Sequence, residues 1–113
     1  MLICVWHRRP AADRLERLRD EAAHVVDAVL GGPAATSPHA RQRAFEGGAD
    51  DAVVASYVEA VRRHAHRITA DDVERLRRSG LDDDAIFELT VAAAAGAAAE
   101  RLRAGLALVG RRA

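Results

Sequence analysis

Lysine and asparagine are absent from this 113-residue chain, and it holds a single cysteine. With Cys4 alone, a disulfide framework and any intrachain cysteine pair are excluded. A reducing cytoplasm is the simplest setting for such a chain. All 17 basic residues are arginine, and 17 acids balance them to a net charge of zero. The electrostatic footprint of a nucleic-acid binder is therefore missing. Aromatic residues are scarce: Trp6, Phe45, Tyr57 and Phe87. A core built from Ala, Val and Leu gains less per residue than one of Phe and Ile, because the gain follows buried apolar area. A chain of this size buries roughly two-thirds of its unfolded surface, and small side chains thin that margin. Oligomerisation is the expected remedy. "MLICVW" is too short for a signal peptide or a membrane span, and Glu88, Glu100 and Arg101 bound the alanine-rich run. No membrane partner is expected, and the length predicts one domain over residues 1–113.

What is present is helical patterning. Residues 1–6 are apolar and β-branched, and read either as a short strand or as an extended docking arm. Leu15, Leu18, Ala22, Val25 and Val29 form one stripe of a helix over about 11–30, which Gly31-Gly32-Pro33 ends. Ser37-Pro38 is a helix start, with Ser at the N-cap and Pro at the first position. It predicts a short helix over 38–46, broken by Gly47-Gly48. A third helix over about 50–67 has the stripe Val54, Tyr57, Val58, Val61, His64 and Ala65. Thr69 with Asp72 resembles a capping box and opens a helix over about 70–79, ended by Gly80. Asp82-Asp83-Asp84 places negative charge at the start of a last helix running to about Val109. The expectation is an all-α bundle of about five helices.

The last helix contains "VAAAAGAAAERL", residues 91–102, with seven alanines and Gly96 in eight consecutive positions. From Leu89 to Ala99 no residue is charged, about 16 Å of helix. A helix without a polar side is buried all round. Gly96 costs about 1 kcal/mol relative to Ala in a helix interior, which a close helix crossing would offset. One small domain cannot easily surround a helix, so residues 89–99 are expected to meet another subunit around Gly96.

"VEAVRRHAHRITADDVERLRRSGLDDDAIFELTVAAAAGAAAERLRAGL", residues 58–106, resembles the C-terminal half of the AhpD-like, or carboxymuconolactone decarboxylase, family. The shared pattern is a helix, a T-x-x-D-V start, a short helix ending in "LRRSGLDDDAI", and a long Ala-rich helix with Arg101. The resemblance implies an all-helical fold forming obligate dimers, trimers or hexamers. The family's peroxidases carry a C-x-x-C-x-x-x-H motif supported by a glutamate and a second histidine. This chain has no C-x-x-C, and Cys4 lies outside the matched region. No residue inherits the peroxidatic or resolving role.

His64 and His66 are two residues apart, about 200° around a helix, and cannot hold one metal there; helical ligand pairs are spaced i, i+4. No metal site and no cofactor is expected. His64 on the apolar stripe reads first as a buried structural histidine. It is also the best candidate catalytic base, with Tyr57 and Glu88 as the residues that could join it. Cys4, between Ile3 and Val5, reads as packing, and nothing nearby activates its thiolate. His24 and His39 read as surface residues, and His7-Arg8-Arg9 as a solvated chain start. The helix-turn-helix reading fails because its second helix would bring three aspartates and then alanine to the DNA. Two functions remain: a non-thiol, homo-oligomeric structural or binding partner in redox or small-molecule metabolism, or an enzyme using His and carboxylates on a small anionic substrate with an Arg clamp.

Overall fold

A computed structural model describes the backbone of residues 2–112 and the side chains of residues 13–109. Five helices follow one another: α1 (Leu2–Gly31), α2 (Pro38–Glu46), α3 (Ala52–Arg63), α4 (Ala70–Arg78) and α5 (Asp83–Arg112), with one 3-10 turn, Ala65–Arg67, between α3 and α4. Among the described residues there is no strand. The expected N-terminal strand or arm is instead the first part of α1, which passes through Pro10. A lone strand leaves its backbone donors and acceptors without partners, whereas a helix pairs them within itself. The side chains of Cys4 and of His7-Arg8-Arg9 lie outside the described residues.

Local chemistry sets most helix ends. The Ser37 hydroxyl accepts from Ala40 N at 3.1 Å, with Pro38 behind it. Gly47 closes α2 at φ 100°, a left-handed cap that a Cβ disfavours. Asp51 accepts from Val53 N and Val54 N at the head of α3. The Thr69–Asp72 capping box is complete: Thr69 N donates to Asp72 Oδ2 and Asp72 N to the Thr69 hydroxyl. Asp82 caps α5 by accepting from Ala85 N at 2.8 Å.

α3 is shorter than its pattern predicts. It ends at Arg63, and His64 leaves the helix at φ −137°, ψ 40°. Arg101 on α5 donates to the Arg62 carbonyl at 3.1 Å, the acceptor that residue 66 would use in a continued helix. α5, conversely, runs past Gly110 to Arg112.

α5 is the spine of the core. Ala85, Ile86, Leu89, Ala92, Ala93, Gly96 and Ala97 are buried, a three-and-four spacing that makes one stripe. The stripe packs on α2 and α3, with Ala44, Val54, Tyr57, Val58, Val61 and Leu76 completing the core. The alanine run is therefore buried on one face only, since Ala94 and Ala98 are exposed in the single chain. The crossing at Gly96 is close, but its partner is in the same chain. A Cβ there would overlap the Phe45 carbonyl of α2 and sit 2.5 Å from Arg62 Nη1. The expected subunit contact centred on Gly96 is thus an internal α2/α5 crossing, made possible because α2 presents its own C-terminal backbone to α5.

The chain is extended for its size. It measures 64 × 29 × 20 Å with a Cα radius of gyration of 17.8 Å, against about 13 Å for a compact domain of this length. Its surface is 8322 Å², where a compact monomer of 12.1 kDa exposes about 6,000 Å². Of the stripe predicted for α1, Leu18 and Val25 remain 50% and 60% exposed.

Gly96→Ala tests the crossing. In an open helix the exchange would stabilise by about 1 kcal/mol. Here the methyl meets a backbone carbonyl, so a net loss of about 1–3 kcal/mol is expected in thermal or urea unfolding. A gain in stability would contradict the close crossing.

Candidate functional site

Tyr57, His64 and Glu88 do not converge. Tyr57 is buried in α3 and its hydroxyl pairs with the Thr90 hydroxyl at 2.8 Å. Thr90 Oγ1 in turn donates to the Ile86 carbonyl at 2.6 Å, so Tyr57 is the donor to Thr90. His64 is exposed, because the end of α3 turns it off the apolar face. The buried structural histidine expected at this position is thus replaced by a solvent-facing one. Seven positions separate Tyr57 from His64, about 10 Å along a helix.

Glu88 serves a structural role. Its carboxylate accepts from Ala35 N at 2.9 Å, Thr36 N at 2.8 Å and the Thr36 hydroxyl at 2.6 Å. The Thr36 hydroxyl, then the Thr36 and Ala35 amides, hold its acid form below the ordinary glutamate range, with the Arg41 charge adding to them against partial desolvation. It clamps the α1–α2 connection onto α5. Arg41, almost fully buried, completes the joint by donating to the Val29 carbonyl at 3.0 Å. A cation there meets the negative end of α1.

Arg62 forms a second joint. It is buried, donates to the Phe45 carbonyl at 2.7 Å and pairs with Glu100. Neither Arg41 nor Arg62 stood out in the sequence. A signal was present: Arg41 shares a helix face with Ala44 and Phe45, and Arg62 follows Val58 by four, so each is an arginine inside an apolar stripe.

The cavities rank these regions. A cavity of about 300 Å³ between α3 and α4 is lined by Tyr57, Ser56, Asp72 and Arg75. Its one carboxylate is committed, since the Thr69 amide of the capping box holds Asp72 in its ionised form. Among the described residues, no cluster of three or more His, Cys, Asp or Glu could hold a metal ion, and no helix is long and apolar enough to cross a membrane. Among the described residues the largest cavity is a groove of about 910 Å³ between α1 and α5. Its walls are Ala22, Val25 and Val26 on one side, and Ala95, Ala98, Leu102 and Leu106 on the other, and Phe45 of α2 also lines it. Arg19, Asp27 and Arg103 are its charged lining residues. A wall of this composition offers contact area and no reacting group.

No family model, curated protein or solved structure matches the chain.

The clamp on Glu88 predicts a pH effect. A depressed folded-state pKa contributes stability above the unfolded value, about 4.3, and that contribution is lost as pH falls through the folded value. Glu88→Gln should therefore lower the melting temperature at neutral pH and flatten the acid limb of stability. Melting curves from pH 7 down to pH 2 that stay parallel for the two proteins would contradict the clamp.

Proposed function

We propose that this chain is a non-thiol, AhpD-like structural or binding protein whose working surface is the apolar groove between α1 and α5. The observation that carries the reading is that groove: the largest concave surface among the described residues is apolar, and Val25 and Leu102 in its walls are 60% and 43% exposed. Monomeric soluble proteins rarely leave a contiguous patch of this kind uncovered. The order of helices from α3 to α5 supports the AhpD-like part of the reading, since it follows the pattern on which the resemblance of residues 58–106 rests. The alternative, an enzyme using His64 and carboxylates, draws no support from Glu88, whose two oxygens already take three donors.

Hydroxyl-radical footprinting in extract of cells that express the protein tests this. Phe87, 69% exposed and away from the groove, is the internal standard. Val25 and Leu102, the exposed large residues of the groove walls, are expected to be oxidised several-fold less than their exposures in the single chain require. Oxidation at the full level of those exposures would show the face uncovered and overturn the reading.

A further inference from the structure

We infer that the occupant of the α1/α5 groove is a second copy of this chain, joined about a two-fold axis so that the two α1/α5 pairs close into a four-helix bundle. The inference rests on the reading of the groove as a docking surface and names its partner.

Area is the first argument. The protomer exposes about 2,300 Å² more than a compact monomer of its mass. A standard stable interface covers about 800 Å² per partner. The excess exceeds what a dimer needs, and among the described residues five of the six large exposed hydrophobic residues lie on α1 and on α5 beyond Ala97.

Geometry is the second. The cavity brings Arg19 and Ala22 of α1 together with Leu102 and Leu106 of α5. Yet the buried stripe of α5 ends at Ala97, while the helix continues to Arg112. Beyond Ala97 the two helices are a hairpin-like pair, and among the described residues nothing of their own chain lies over the apolar groove between them. Two antiparallel pairs facing each other are the up-and-down arrangement of a four-helix bundle. A two-fold interface needs a surface complementary to itself, and a face contributed by both arms meets that condition.

Charge is the third. Between Asp13 and Gly31, α1 carries Asp13, Glu16, Asp20, Glu21 and Asp27 against three arginines. Beyond Glu100, α5 carries arginine and no acid. Over its whole length α1 is balanced, five acids against five arginines, so alternating the helices around the bundle sets the acids of α1 in each copy within reach of the basic α5 arm of the other. Pairing α5 with α5 would oppose like charges.

Light scattering on the purified full chain over a concentration series, with and without reductant, decides it. The expected mass is twice 12.1 kDa, unchanged by reductant. Val25→Glu and Leu102→Glu are each expected to raise the dissociation constant at least 100-fold while core helicity by circular dichroism is kept. Phe87→Glu, off the face, should leave the dimer intact. A wild-type monomer at the highest concentration would overturn the inference, as would a trimer, a dimer that reductant dissolves, or a dimer that both face variants leave intact. A monomer whose groove residues are still protected in cell extract would overturn the second copy as occupant while leaving the docking surface standing.

Discussion

Where α5 crosses α2, the missing side chain of Gly96 lets the backbone of α2 approach the backbone of α5, and Arg62 fills the angle between them. Arg62 donates to the Phe45 carbonyl, one of the acceptors that the end of α2 leaves open, and pairs with Glu100 one turn beyond Gly96. Its own carbonyl takes Arg101. One close contact thus joins α2, α3 and α5, and these three helices supply most of the core. Such a crossing suits a chain with few aromatics. Where large side chains are scarce, packing density comes from bringing backbones together.

The joint of Glu88 on the Ala35–Thr36 backbone, with Arg41 on the end of α1, decides where α1 goes. It holds α1 beside the outer half of α5 instead of folding it over the core. The result is a core at one end and two apolar arms at the other. An isolated helix shorter than about 12–15 residues is marginal in water, so arms of this length draw their order from packing. The groove between them is the surface on which the proposed function turns.

How much of this the sequence discloses depends on how local the cause is. α2 is expected over 38–46 and observed there, because Ser37, Pro38 and Gly47 act on their immediate neighbours. The start of α4 is equally legible in Thr69 and Asp72. The end of α3 is not, since the acceptor at Arg62 is taken by a residue 39 positions away, and His64 leaves the apolar face as a consequence. Gly96 is legible as a close crossing, but a glycine in a helix does not say whether the approaching backbone belongs to the same chain. Glu88 stands out as a carboxylate beside the alanine run. Its partners at Ala35 and Thr36 lie more than 50 residues earlier, so its structural use becomes visible only in the fold. The apolar stripe of α1 is correctly periodic, and periodicity identifies a face without identifying what covers it.

The division into a self-sufficient core and arms completed by pairing is most directly tested by native-state hydrogen exchange along α5 at several protein concentrations. Amides of residues 89–97 should be strongly protected at every concentration, because α2 and α3 cover that stretch. Those of residues 101–109, and of residues 13–25 on α1, should gain protection as concentration rises. Exchange along α5 that is uniform from residue 89 to residue 109 and indifferent to concentration would contradict the account.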